Sequence, residues 1–254
     1  MERFMAALQF HPGGYRDEPD ARDRRFVPRL ERLPRRADLS RFCGKVYQQY
    51  RIQSCSANAL ASAMTLVANQ LDESIAPPSR LFMYYNARAL SNAQRKDCGT
   101  TIRIAIKALA RAGACPERQW PYRKDAVTLR PLRACYDDAQ MRPIRYHRIA
   151  QELNQLHAAL AQGNAFVFGI QAYGEPFTQA AQTAYLRLPR KTDTLIGGHA
   201  LIAVGYDAIK KTFIARNSLG SAFAKNGFFS IPDAYFTDPE LTYDFWTIGG
   251  KTGW

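Results

Sequence analysis

An α+β fold of two unlike lobes is predicted by three observations. The first half of the chain carries helix-forming runs: an alanine-rich stretch after Ser54-Cys55, an aromatic-faced stretch after Ser79, and an Ile/Ala stretch from Ile102 to Gly113. The second half carries short aromatic and β-branched runs bounded by glycine and polar turns. Helices gathered first and strands second is the order of an α+β chain, not of alternating βαβ units. At 254 residues there is room for two lobes with ample core.

Residues 1–41 differ from the rest: they are polar, Arg-rich and proline-punctuated, without sustained periodicity. They form an extended arm, either a disordered tail or a strap along the body. A helical lobe is expected over residues 42–140. Its central helix runs from Ser54 to about Gln70, built from small side chains that suit close packing on all sides. Pro77-Pro78 ends that region. Ser79 caps the next helix, and Thr100 or Thr101 caps a third that stops at Gly113. Residues 141–254 form the strand-rich lobe. Strands are expected at 145–149, 165–173, 198–206, 211–217, 228–231 and 245–248, with an amphipathic helix over 150–162.

The apolar share is 46% and no apolar run of membrane-spanning length occurs, so a globular chain with no membrane partner is expected. The first ten residues hold too short an apolar stretch for a signal peptide, and compartment stays open. The net charge of +13 is concentrated in the middle of the chain. Such a surface attracts an anionic ligand, but no nucleic-acid motif accompanies it, and a solvated basic face explains it as well. Five cysteines (43, 55, 98, 115, 135) include no Cys-x-x-Cys pair, so no metal and no cofactor are expected. Four thiols beyond Cys55 allow two disulfides or none. A monomer is expected.

One stretch carries chemistry. With Ser54 as N-cap, Cys55 stands in the first turn of a buried helix, where the macrodipole and unpaired N–H groups favour a thiolate and lower the thiol pKa. A thiol nucleophile needs a base and a group to orient it. Of four histidines, His11 lies in the arm, and His147 and His157 sit among polar neighbours, the latter on an expected surface helix. His199 follows Gly197-Gly198 and opens an apolar strand. Asn217 ends the next strand, which an antiparallel pairing sets beside His199.

Residues from about 46 to 248 resemble a papain-like cysteine peptidase (the papain/cathepsin family), especially its bacterial branch. Gln49 stands six positions before Cys55, as the family's glutamine does. Gly198-His-Ala200 with Val204-Gly-Tyr206 resembles the histidine strand, and Arg216-Asn-Ser-Leu-Gly220 the Lys/Arg-Asn-Ser-Trp-Gly motif. Ser79 to Tyr85, Asp97-Cys-Gly99, Glu117 to Tyr122 and the arm's Pro19-Asp-Ala-Arg-Asp23 resemble bacterial-branch segments. The Cys55–His199 separation falls within the roughly 130–150 residues the family shows.

The resemblance implies a papain-like fold with a cleft between a helical left lobe and an antiparallel β right lobe. It implies an endopeptidase acting on a peptide or protein substrate through a thiol acyl-enzyme. Cys55 is then the nucleophile, His199 its ion-pair partner, Asn217 the orienter, and Gln49 an oxyanion donor. Gly99 is a candidate to bind substrate backbone, and Gly198 to border an open specificity pocket. The arm becomes a candidate prosegment. Three residues depart from the pattern: Ser56 replaces an aromatic, Leu219 the tryptophan that shields the Asn–His bond, and Gln48 an aspartate. Ile52 stands where one partner of the family's first disulfide would be. Two rivals stand beside this reading. One is a Cys-His acyl transferase of transglutaminase type, against which Asn217 argues. The other is a silent scaffold binding an acidic partner or nucleotide.

Overall fold

The computed structural model describes residues 11–29, 32–139 and 145–249. The first ten residues and the expected lobe boundary at 140/141 lie outside the described residues. The arm contributes β1 (Gly14–Tyr15) and β2 (Arg36–Asp38). The helical side holds α1 (Cys55–Gln70), α2 (Arg80–Ala89), β3 (Thr100–Thr101), α3 (Ile102–Ala112) and the short α4 (Arg133–Asp137). The other side holds β4 (Tyr146–Arg148), α5 (Leu153–Ala161), β5 (Phe166–Tyr173), α6 (Gly174–Thr183), β6 (Leu195–Asp207), β7 (Thr212–Arg216), β8 (Phe228–Pro232), α7 (Asp233–Thr237) and β9 (Thr242–Ile248). This is the α+β two-lobe arrangement the sequence predicts.

Small side chains let α1 sink into the centre of the molecule. Every residue from Cys55 to Ala68 is buried except Thr65, so the helix is enclosed on all faces. Ser79 caps α2 by accepting from Phe82 N–H at 3.2 Å, and Thr101 caps α3 by accepting from Ile104 N–H at 3.2 Å. Gly113 ends α3 with φ 72°, a left-handed value glycine adopts without strain.

The strands form one antiparallel sheet in the order β4-β9-β5-β6-β7-β8, with β2 laid along β6 through Ala37 opposite Tyr206. Its core is aromatic: Phe166, Phe168, Phe213, Phe236 and Phe245 interlock, with Phe213 stacked on Phe236 at 3.9 Å between centroids. His157 joins this core, stacked on Tyr206 at 4.0 Å, rather than lying on a surface helix as its polar neighbours suggest. The five thiols are free.

The described residues of the arm form a strap along the body. Beyond β2, its Phe26 N–H donates to Arg148 O and its Arg24 O accepts from Arg148 N–H, which extends the sheet past β4. At its start, β1 pairs in parallel with β3, Gly14 opposite Thr100.

Candidate active site

The turn that delivers Cys55 is held by the segments the sequence singles out. Arg80 donates twice to Glu117, at 2.8 and 2.6 Å, and once to Asn58 Oδ1 of α1 at 3.0 Å. Its guanidinium lies 3.8 Å from the Tyr122 ring centroid. The Tyr122 hydroxyl donates to Gln49 O at 3.0 Å and contacts Ser54 Oγ at 2.6 Å. Ser54 therefore occupies the N-cap position without capping α1 by its side chain, because its hydroxyl is engaged by Tyr122 and by Asn58 Nδ2. Arg80→Ala would leave Glu117 and Asn58 without their partner. It is expected to lower unfolding stability by roughly 2–4 kcal/mol in urea titrations, where a change under 1 kcal/mol would contradict this account.

His199 lies on β6 opposite Ile170 of β5, and Asn217 is the first residue past β7. Asn217 Oδ1 meets His199 Nε2 at 2.9 Å and accepts from Ser218 N–H at 2.8 Å. With two donors converging on Oδ1, Nε2 carries the proton and Nδ1 is the basic nitrogen of the neutral ring. Without the family's tryptophan, shielding comes from elsewhere. Leu219 is buried, and the Phe177 ring of α6 meets the imidazole edge-on at 6.2 Å. Phe177 carries no motif, so only the fold could reveal it. Burial drives the His199 pKa down to about 4, against the hydrogen bond it donates to Asn217, which raises it.

The Cys55 sulfur sits within reach of the backbone N–H groups of Ala200, Gly13 and Ser56. It thus adjoins the residue after His199, and an arm residue covers it. Here the sequence reading needs correction. Complete burial outweighs these hydrogen bonds and pushes the thiol up to about 11, where the helix terminus alone would lower it. In the arm-covered molecule both partners are neutral.

Gln49 is fully buried. Its Oε1 accepts from Ser218 Oγ at 2.7 Å, and its Nε2 donates to Ile52 O at 3.2 Å and to His11 O of the arm at 3.4 Å. Gly99, at φ 72°, holds its N–H 2.8 Å from the Tyr84 hydroxyl, and a Cβ there would stand 2.1 Å from Gly13 O. Asp97 fixes this turn by accepting from Tyr84 Oη at 2.7 Å and from Gln53 N–H at 3.1 Å. The space at Gly198 is filled rather than open: a Cβ there would meet Gly14 O at 2.1 Å and the Tyr243 hydroxyl at 2.5 Å. The arm thus threads a slot walled by Gln53, Gly99, Gly198 and His199.

Past the slot the arm is anchored by buried charge. Asp17 accepts from Arg103 N–H at 3.2 Å and from Trp246 Nε1 at 3.0 Å, while its own N–H donates to Asp244 Oδ2 at 2.5 Å. Asp23 lies between Arg103, at 2.5 Å, and Arg148, at 3.2 Å, and Arg148 also reaches Asp244 at 2.7 Å. Asp23 and Asp244 thus share the Arg103 and Arg148 guanidinium groups, while Asp17 is held by the Arg103 backbone N–H and the Trp246 indole. Burial first, and the Asp17 charge second, raise Asp244 to about 6. Asp23 closes the Pro19-Asp-Ala-Arg-Asp23 segment the sequence singles out, whereas Asp17, Arg103, Arg148 and Asp244 carry no motif.

A buried helix-borne thiol within reach of the Ala200 backbone N–H, one residue past the histidine of a His199–Asn217 pair, stands in a fold with known relatives. A family described as papain family cysteine protease matches residues 36–237, and the chain belongs to that family. Its structure is similar to that of xylellain, a cysteine protease from Xylella fastidiosa, at 37% identity and a TM-score of 0.89, covering 94% of this chain and 96% of that one. An uncharacterized peptidase C1-like protein of Acanthamoeba polyphaga mimivirus is 35% identical over 211 residues, 79% of this chain and 68% of that protein. A digestive procathepsin L 3 of Tenebrio molitor larval midgut shares the fold at 16% identity and a TM-score of 0.73, covering 98% of this chain and 78% of that one.

Proposed function

We propose that the chain is a papain-like endopeptidase held latent by its own arm. The observation that carries the peptidase reading is the 2.9 Å His199–Asn217 contact together with a buried Cys55 thiol held by the backbone of Ala200, the residue after His199. With the arm displaced, water reaches both groups, the desolvation that keeps them neutral is relieved, and the thiol proton passes to His199 Nδ1. The thiolate attacks the scissile carbonyl, and the developing oxyanion is met by Gln49 Nε2 and the Cys55 backbone N–H. His199 then protonates the leaving amine, Asn217 keeps the ring in place, and water hydrolyses the acyl-enzyme. The cleft would lie between a helical lobe of residues 42–140 and a strand lobe of residues 141–254, with Gly99 offering backbone to an extended substrate.

Latency is supported by where the arm's backbone lies. His11 O takes the Gln49 amide, and the Gly13 N–H takes the sulfur. The Gln49 amide is then occupied by a carbonyl oxygen, as a substrate would occupy it, while the sulfur meets an N–H instead of a carbonyl carbon, so the arm offers no bond to attack.

The test is an epoxide-type thiol inhibitor on the full-length chain and on its Gly13→Val variant, followed by peptide mapping. Modification at Cys55 with parallel loss of peptide hydrolysis is expected. Labelling at another thiol, or hydrolysis that survives complete Cys55 modification, overturns the reading.

A further inference from the structure

Tyr243 reaches across the sheet in a way the catalytic reading does not use. It stands on β9 opposite Gly169 of β5. A Cβ at Gly169 would lie 2.2 Å from its ring, and its hydroxyl ends at Gly198, next to His199. Two glycines on neighbouring strands thus leave room for one phenol ring to cross from β9 to β6. The backbone aims it there. The β5–β9 register shifts between Val167 and Gly169, and Asp244, the next residue, holds a left-handed φ of 53° that a non-glycine residue adopts at a cost. Burial first, and the nearby Cys55 sulfur second, raise the Tyr243 pKa.

The arm covers this ring with a cation. Arg16 sets its guanidinium 4.7 Å from the Tyr243 ring centroid, and its Nη2 donates to Pro239 O at 2.6 Å. On the next residue, Asp244 Oδ2 accepts from the arm's Asp17 N–H, one residue past Arg16. Departure of the arm therefore uncovers three electron-rich groups together: an aromatic face, a backbone carbonyl and a carboxylate oxygen. That combination suits a planar, multiply donating cation better than an aliphatic side chain. It is notable on a chain of net charge +13, whose surface at large repels cations.

We propose that Tyr243, with Pro239 O and Asp244, forms a specificity subsite for an arginine side chain of the peptide substrate, in the place the arm's Arg16 fills. This rests on the peptidase reading and names its substrate class. The subsite discriminates by the guanidinium: a citrulline side chain has the same length and shape but no charge, so it loses the cation–π and carboxylate contacts.

The test uses the full-length chain carrying both Gly13→Val and Arg16→Ala, so that the slot is open and the arm's own guanidinium no longer fills the place, with peptides that differ only by arginine or citrulline, placed in turn at each of the three positions either side of the scissile bond. At one position kcat/KM is expected to favour arginine at least tenfold. Tyr243→Phe, which keeps the ring, retains that ratio. Tyr243→Leu brings it within about twofold of unity, and Asp244→Asn lowers it. Should the leucine variant fail to fold, the phenylalanine and asparagine variants still decide. Hydrolysis with ratios near one at every position, or a ratio unchanged by both Tyr243→Leu and Asp244→Asn, overturns the subsite and leaves the peptidase standing. Absence of any hydrolysis or Cys55 labelling overturns both.

Discussion

Replacing Gly13 by valine in the full-length chain should raise peptide hydrolysis, and the rate at which an epoxide inhibitor labels Cys55, roughly tenfold to a hundredfold. A Cβ at this position would stand 2.3 Å from Gln53 O and 2.5 Å from Gln53 Cβ. Gln53 cannot yield, because Asp97 holds it twice, accepting from its N–H at 3.1 Å and, through Asp97 O, from its side-chain Nε2 at 3.0 Å. The arm must therefore lift, taking His11 O off Gln49 and the Gly13 N–H off the sulfur. Overpacking of this kind costs about 1–3 kcal/mol, and each 1.4 kcal/mol shifts an equilibrium about tenfold. The latch at Asp17 and Asp23 lies further along the chain, so the fold keeps its anchor while the slot empties. Full occupancy of the slot in wild type makes labelling slow, and the ratio of the two labelling rates measures how much closed form is lost. Equal rates in variant and wild type would mean that the arm does not gate the thiol.

Parts of this molecule were legible in the sequence because their chemistry is local. Cys55 at a helix start and Asn217 at a strand end each sit at a point where periodicity changes; His199 lies inside β6, which starts at Leu195, three residues before the expected start at 198, yet its 2.9 Å contact with Asn217 still follows from one antiparallel pairing. Ser79 and Thr101 cap the helices they precede. Illegible features depend on distant partners. Asp17 bonds to Asp244 and Trp246, which lie 227 and 229 positions away, and no window of sequence joins them. His157 has polar neighbours along its helix, yet its ring stacks on Tyr206 from another strand. The Cys55 pKa illustrates the same limit. Its helix position argues for a lowered value, and complete burial by residues from several segments reverses the sign. Glycine 198 suggested open space, while the groups that fill it come from residues 14 and 243.

The latch makes arm closure depend on pH, with a direction fixed by Asp244. In the closed molecule its carboxyl is raised to about 6, by burial first and by Asp17 second, against an ordinary aspartate value near 4. Both causes weaken when the arm departs, since Asp17 leaves and water enters. The closed form therefore binds a proton more tightly than the open form. A group raised in the closed state contributes to closure fully below its open-state value and ceases to contribute as pH rises through its closed-state value, so the window runs from about 4 to 6. The groups around it are Asp17, Asp23, Arg103, Arg148 and the Trp246 indole N–H: three carboxylates against two guanidinium groups, a cluster balanced when one proton is held. Acid thus tightens the strap, and approach to neutrality loosens it. The labelling rate of wild-type Cys55, divided by that of Gly13→Val at the same pH to remove the titration of the thiol and imidazole themselves, is expected to climb between pH 4.5 and 6.5. The limit is about tenfold per unit. Asp244→Asn keeps the shape but cannot ionise, so its ratio should stay flat and its arm should stay closed at pH 7. A ratio that falls with rising pH in wild type, or that climbs equally in Asp244→Asn, would place the proton elsewhere.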